Sequence, residues 1–329
     1  MHRILFVLLT LAASCHAGEN YAERAEVKQF IDEFSKQHEY SKALLTDLFG
    51  KVSKQTQALE AIRHAAEKKK NWQDYRKIFI TPKRIEGGLK FWTENAQILA
   101  AAERHYGVPP EIIVAIIGVE TFYGEYKGKY PVLDSLVTLG FDYPPRQKFF
   151  RSELEHFLLL VQEENLDPIA IKGSYAGAMG KSQFIPSSYR QYAIDFDENG
   201  KRDLWESNED IIGSVANYFK RHGWHANKPI TMQVSITGDR YSTLLDKGLK
   251  PFTSVAELSQ YNVKINTDAY AQEKVALLEL KNDNSNEYWA GFDNFYVITR
   301  YNHSSMYAMA VYQLSQQIKQ DIKNHVVQN

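Results

Sequence analysis

The run Pro109-Pro110-Glu111-Ile112-Ile113-Val114-Ala115-Ile116-Ile117-Gly118-Val119-Glu120-Thr121-Phe122-Tyr123-Gly124 is apolar or glycine at every position from Ile112 to Val119. A helix with no polar face must be buried, so this segment belongs at the centre of a helical core. Gly107 stops the preceding helix and Pro109-Pro110 starts this one, the expected order of signals. Before it, 85–106 predicts a single longer helix with Leu89, Phe91, Ile98, Leu99 and Ala102 on one side. After it, 110–123, 146–164, 208–222 and 304–322 also predict helices. From Tyr21 to Lys70 the pattern is helical and polar, with apolar positions at Phe30, Phe34, Leu44, Leu45 and Leu48. Lys68, Lys69 and Lys70 read as a solvated helix end.

Between His225 and Phe292 the texture changes. Ile230–Ile236 and Val275–Leu280 alternate or carry β-branched residues, with Gly238, Asp239, Gly248 and Pro251 supplying turns between them. Phe295–Thr299 is a further strand candidate, or an extended lead-in to the last helix. The fold class is therefore mainly α (α+β), a helical core with an N-terminal α region and a small β-sheet insertion.

Glu120 follows the apolar run near its C-terminal end, one turn before Gly124. Desolvation by Ile116, Ile117 and aromatic neighbours disfavours the carboxylate anion, and so does the negative end of the helix dipole. Both effects raise the pKa, so the group can stay protonated near neutral pH and act as a general acid. The bland alternative is an ion pair with an Arg or Lys that only supports the fold. Phe122, Tyr123, Tyr126 and Tyr130 follow closely, and Phe141-Asp142-Tyr143-Pro144-Pro145-Arg146 adds rings and a cation. Aromatic faces beside an acid suit a sugar-binding cleft.

Composition narrows the partners. Of 329 residues, 39 are Lys or Arg and 40 are Asp or Glu, a formal charge of −1. That lacks the basic excess of a nucleic-acid binder, so no nucleic-acid partner is expected. The hydrophobic share of 44% excludes a disordered chain. Residues 1–17 have a basic start at Arg3 and an apolar run from Ile4 to Ala13, which predicts a signal peptide. The sole cysteine, Cys15, ends this leader. Cutting before Cys15 would leave an acylated N-terminus, as in bacterial lipoproteins; cutting after Ala17 would release a soluble protein. Neither route leaves a thiol pair for an internal disulfide.

Asp195-Phe196-Asp197-Glu198-Asn199-Gly200-Lys201-Arg202-Asp203-Leu204-Trp205-Glu206 matches the calcium-loop pattern D-x-[DN]-x-[DN]-G-x5-E at every defined position. Asp195, Asp197 and Asn199 would supply side-chain oxygens and Lys201 its carbonyl. Asp203 would act directly or through water, and Glu206 stands in the bidentate position. A single copy in an exported chain points to structural Ca2+ rather than a sensor.

The segments Ile116-Ile-Gly-Val-Glu120-Thr-x-Tyr-Gly, Leu133-Asp-Ser-Leu-x-Thr-Leu and Lys172-Gly-Ser-Tyr-Ala-Gly-Ala-Met-Gly-Lys-Ser-Gln183-Phe-Ile-Pro-Ser-Ser-Tyr189 resemble the membrane-bound lytic murein transglycosylase B family. Gly213-Ser-Val-Ala-Asn-Tyr218-Phe, His222-Gly-Trp and Asn294-Phe-Tyr-Val-Ile-Thr-Arg-Tyr301-Asn extend the likeness, which covers about residues 75–320. It implies a lysozyme-like core with α and β accessory parts. It also implies cleavage of the MurNAc–GlcNAc bond of peptidoglycan with a 1,6-anhydro-MurNAc product. Glu120 would be the acid and then the base. Ser174, Gln183 and Tyr218 would line the saccharide cleft, joined by Tyr301 and Tyr307, with Arg146 on the rim. The family often has paired arginines at the last place, where Pro145-Arg146 leaves one. Its calcium loop usually takes the last acidic ligand slightly beyond position twelve, near Asp210, so Glu206 and Asp210 both stand as candidates.

With that resemblance the chain divides into a signal peptide (1–17), an N-terminal α region (18–84), a lysozyme-like catalytic core with the calcium loop (85–225), the β insertion (226–292) and a C-terminal segment returning to the core (293–329). The implied setting is the periplasm, either anchored by lipid to the outer membrane through Cys15 or soluble after cutting past Ala17. Glycan strands are the implied partners, with cell-wall synthesis or turnover proteins beside them. Glu125 and Asp134 are the nearest candidates for a second carboxylate. The rival readings are a hydrolytic muramidase and a non-catalytic, calcium-stabilised cell-wall binding module.

Overall fold

The computed structural model describes residues 20–67, 70–267 and 269–328. The leader with Cys15, and Lys68 and Lys69 of the basic run, lie outside the described residues. The helices of the N-terminal half are α1 (Ala25–His38), α2 (Lys42–Gly50), α3 (Thr56–Glu67), α4 (Trp72–Phe79), α5 (Pro82–Glu94), α6 (Ala96–Tyr106) and α7 (Pro110–Thr121). A two-residue strand β1 (Tyr130–Pro131) precedes α8 (Val132–Asp142) and α9 (Gln147–Glu163), and pairs with β2 (Lys172–Gly173). Then come α10 (Pro186–Tyr192), α11 (Asn208–Arg221), β3 (Thr231–Ile236), α12 (Ser242–Leu245), β4 (Thr253–Ser254), β5 (Val263–Ile265), β6 (Lys274–Leu280), β7 (Glu287–Gly291), α13 (Asp293–Tyr301) and α14 (Ser305–Gln328).

Helix α7 is the hub. Ile112, Ile113, Val114, Ala115, Ile116 and Ile117 are all fully buried, as an all-round apolar helix requires. Helices α14, α5, α6 and α11 pack around it. At its positive end the buried Glu111 meets Lys319 of α14 at 2.5 Å. The N-terminal helices are tied to the core through Asp142 at the end of α8. Its carboxylate accepts from the Tyr21 hydroxyl at 2.7 Å and from Arg24 at 2.6 Å.

The insertion is a five-stranded antiparallel sheet in the order β4-β6-β7-β3-β5. Strand β6 explains how it attaches. Leu278 and Leu280 join the main core, whereas Val275 and Leu277 join a separate small core over the sheet's other face. The two-residue period of a strand thus serves two cores at once. Trp72 closes the junction, its backbone N–H donating to the Lys281 carbonyl at 2.7 Å.

Two expectations need correction. The segment 85–106 is two helices, because Asn95 interrupts it. Its side-chain amide donates to the Phe91 carbonyl at 2.8 Å while its oxygen accepts from Asn208 at 3.0 Å. A buried asparagine that satisfies both sides of a break can replace a turn of helix. Phe295–Thr299 is neither strand nor extended lead-in but the middle of α13. Phe295 and Ile298, one helical turn apart, are both fully buried, so tertiary packing overrides the β-branched preference.

Candidate active site

Helix α7 ends in an abrupt reversal. Phe122 and Tyr123 both adopt left-handed backbone angles, with φ of 53° and 61°. Two such non-glycine residues in a row are strained and persist only when packing fixes them. The fixing is visible. The Tyr123 ring fills a slot between α5 and α7 where a Cβ at Gly118 would lie 2.5 Å from the phenol oxygen. Tyr123 donates to the Arg84 carbonyl at 2.7 Å, and Arg84 Nε donates to the Gly118 carbonyl at 3.0 Å. The Arg84 guanidinium also covers the Phe122 ring at 4.8 Å. Thr121, fully buried, donates to the Lys181 carbonyl at 2.9 Å and accepts the Gly124 N–H at 3.0 Å. The residue on either side of the reversal is therefore held, and Glu120 is aimed with it.

Glu120 is largely buried, and the Tyr307 hydroxyl donates to its Oε1 at 2.5 Å. Burial pushes its carboxyl up to about 7; the Tyr307 hydrogen bond opposes that rise only in part. No basic side chain pairs with it among the described residues, so the ion-pair alternative is not what the structure holds. Four phenols surround the acid. Burial and then the Glu120 charge raise Tyr75, to about 12, and hold Tyr301 and Tyr307 well above the usual phenol range. Tyr218 is raised by burial too, with a smaller contribution from Glu120. All four therefore stay protonated as donors. Tyr301 donates to the Ser182 carbonyl at 2.7 Å and Tyr218 to the Arg300 carbonyl at 2.6 Å.

Ser174 and Gln183 sit on one bridged segment, in which Met179 pairs with both Gly173 and Phe184. The Ser174 hydroxyl oxygen accepts from the N–H groups of Ala176 and Ala178, at 3.3 and 3.0 Å. Gln183, at φ 52°, donates its amide to the carbonyls of Lys127 and Gly180. Lys181 and Ser182 bring this segment to Glu120 through Thr121 and Tyr301. Arg146 stands apart: it is exposed and stacks over Phe149 at 4.2 Å. Tyr75 went unnoticed in the sequence because no motif marks it; it enters the site from α4, far upstream of Glu120. Of the second-carboxylate candidates, Glu125 is exposed beside Tyr126, and Asp134 accepts from Gln55 at 3.2 Å. Neither is among the groups that perturb Glu120.

The acidic loop also folds together. Carboxylate oxygens of Asp195, Asp197 and Asp210 all lie within 4.8 Å of one another. Asp210 is fully buried at the start of α11 and accepts the N–H groups of Phe196 at 2.7 Å and Asp203 at 2.8 Å. Glu206 turns away and pairs with Lys127 at 2.7 Å. The reason is the loop's exit. Ser207 caps α11, so position twelve precedes the helix instead of lying within it. Asn199 and Asp203 accept backbone N–H groups of the loop, from Lys201 and from Trp205 and Glu206.

Comparison with known proteins agrees with this geometry. The Transglycosylase SLT domain model matches residues 22–316. The membrane-bound lytic murein transglycosylase B of Escherichia coli (strain K12) is 41% identical over 310 residues, which is 92% of this chain and 84% of that protein. The catenated lytic transglycosylase SltB1 of Pseudomonas aeruginosa is similar at 46% identity and a TM-score of 0.88, covering 92% of this chain and 99% of that one. The Escherichia coli lytic transglycosylase Slt35, solved in complex with calcium, is similar at 40% identity and a TM-score of 0.82, with 93% and 96% covered. A mainly α fold of the lysozyme-like type, a buried acid among tyrosines and these matches lead to one conclusion: the chain belongs to the lytic murein transglycosylase B family.

Proposed function

We propose that Glu120 serves this enzyme as its one acid–base group in a peptidoglycan lytic transglycosylase reaction at the MurNAc–GlcNAc bond. The carrying observation is a largely buried carboxyl raised to about 7, with no second carboxylate among the described residues acting on it. Protonated Glu120 donates to the glycosidic oxygen as that bond breaks and positive charge grows at the anomeric carbon. As the anion it then takes the proton of the sugar's own C6 hydroxyl, which closes on the anomeric carbon to give the 1,6-anhydro end. Glycosidases that add water usually need a second carboxylate to activate that water or form a covalent bond. Ring closure needs only one such group. Mass analysis of digested murein tests this: anhydro ends from the wild type support it, whereas reducing ends, heavier by one water, indicate a hydrolytic muramidase. Bound glycan with no product indicates a binding module.

Tyr218, Tyr301 and Tyr307 are assigned to saccharide binding because they lie around Glu120, and Ser174 and Gln183 because they sit on the bridged segment that Thr121 and Tyr301 tie to it. Tyr75 joins them on the same ground. Arg146 is assigned to the rim, as a stacked cation for an acidic group on the strand. Tyr307 has a second task, which is to orient the acid. In Tyr307→Phe the hydrogen bond that favours the anion is gone, so the descending pH limb of kcat/KM moves up by roughly one unit. A pH–rate profile checks this, and an unmoved limb removes Tyr307 from that role.

The loop is assigned to Ca2+, bound by Asp195, Asp197 and Asp210 with the Asn199 oxygen and the Lys201 carbonyl; Asp203 acts through water. Three clustered carboxylates, one fully buried, fit a hard cation with oxygen ligands. The cation would neutralise the cluster and hold the loop; the bond-breaking chemistry stays with Glu120. No helix among the described residues is long and apolar enough to cross a membrane. A periplasmic place with lipid attachment through Cys15 rests on the leader and on the relative's designation as membrane-bound. Cell-wall synthesis or turnover proteins are the matching partners.

A further inference from the structure

Arg84 is a half-buried cation with no acid beside it. Among the described residues no carboxylate pairs with its guanidinium, and burial pushes its pKa down. Its charge is met instead by carbonyls at the ends of two helices. Nη1 donates to the Ile78 carbonyl in the last turn of α4, and Nε donates to the Gly118 carbonyl in the last turn of α7 at 3.0 Å. Helix ends of this kind are short of donors and carry negative partial charge, so one planar cation suits both. The same guanidinium lies over the Phe79 ring at 5.2 Å and the Phe122 ring at 4.8 Å. Local structure sets it there. Thr81 caps α5 by accepting the Arg84 N–H at 3.2 Å, which places the side chain one turn into that helix.

The two helices carry different parts of the site. Glu120 stands two residues beyond Gly118 on α7. Tyr75 stands on α4, where burial and then the Glu120 charge raise its phenol. The Tyr75 hydroxyl has no hydrogen-bond partner among the described residues, so ring packing orients it. It packs against Trp72, with ring centroids 6.4 Å apart, and against Phe79, at 5.1 Å. Phe79 is the ring that Arg84 covers. One side chain thus reaches the acid's helix through a carbonyl and Tyr75 through an aromatic ring.

We propose that Arg84 is a positioning residue that clamps α4 to α7, holding Tyr75 and Glu120 in register. Saccharide contact by the one and proton transfer by the other then serve the same pose of the strand. The inference rests on the transglycosylase reading above and adds to it a residue that acts through two others.

Arg84→Lys keeps the charge but cannot span both carbonyls. It should lower kcat roughly tenfold, because the acid is aimed less well, and raise KM roughly fivefold as Tyr75 loses its placement. Phe79→Leu cuts only the ring path, so it should raise KM alike and leave kcat unchanged. Tyr75→Phe completes a double-mutant cycle. Its effect on KM, roughly fivefold alone, should shrink below about twofold in either background, since the energies of coupled groups do not add. A purely structural arginine would lower the melting temperature without that split or that coupling. Equal effects of Tyr75→Phe in all three backgrounds, or an unmoved kcat in Arg84→Lys, overturn the clamp. If Arg84→Lys does not fold, additivity between Phe79→Leu and Tyr75→Phe overturns it, because that ring is the link between the guanidinium and Tyr75. Glycan affinity measured with Glu120→Gln added to each protein follows the Tyr75 arm without turnover. A wild type that forms no anhydro ends therefore defeats the transglycosylase reading and leaves the clamp to be decided by affinity.

Discussion

Glu120→Gln should cut anhydro-product formation by a factor of about 10² to 10⁴ and at the same time stabilise the protein above pH 7. The loss follows from removing the group assigned to donate and accept the proton, a contribution worth about 10² to 10⁴ in rate. The gain follows from the same burial. In the folded protein burial pushes the carboxyl up to about 7, from the ordinary glutamate value of 4.5. A raised carboxyl pKa gives stability that is complete below the unfolded value and disappears as pH rises through the folded one. Wild type therefore weakens between about pH 4.5 and pH 7 and beyond, as an anion is forced into apolar surroundings. The glutamine variant does not, and by pH 8 the difference reaches about 3 kcal/mol in its favour. Urea unfolding of both proteins at pH 4 and pH 8 measures it. A gap that fails to open at the higher pH shows that the acid is not held neutral by its surroundings.

Asp210→Ala should be the most damaging change in the metal loop. The fully buried carboxylate satisfies the N–H groups of Phe196 and Asp203 and sits with Asp195 and Asp197. Truncation strands both donors and removes a carboxylate from the cluster assigned to the cation, costing about 3 kcal/mol or more. In a chain of this size that corresponds to a fall on the order of 4–5 °C in Tm. Wild type should melt higher with added calcium and lower with a chelator, by ligand linkage. The variant should melt low in both. Glu206→Gln is the contrast, because Glu206 faces Lys127 across the protein surface. It should keep the calcium response, and its loss there would return Glu206 to the ligand set.

Asp210 and Glu120 are expected to respond to substitution in opposite ways because their surroundings differ. Asp210 is a negative charge surrounded by donors, so removing it leaves unsatisfied partners. Glu120 is a buried carboxyl enclosed by tyrosine rings with one hydrogen-bond donor, from Tyr307, so neutralising it should relieve the fold. Stability and activity therefore pull against each other at Glu120, as at many sites where a charge is held for chemistry.

The sequence alone determined a buried central helix, since eight consecutive positions without a polar side chain allow no surface face. It also determined that an acid ends that helix and that an oxygen-rich loop follows near 195. These are local signals, readable because periodicity and spacing act within one element. It did not reveal the break at Asn95 or the helix through Phe295–Thr299, where distant partners overrode local preference. Tyr75 was hidden for a related reason: it reaches Glu120 from another helix, and no spacing along the chain encodes that approach. Tertiary structure alone chose Asp210 over Glu206 for the acidic cluster, because the start of α11 fixes which carboxylate turns inward. It also brought the phenols around Glu120, and the raised carboxyl depends on that enclosure, which exists only once α4, α7, α11, α13 and α14 are packed together.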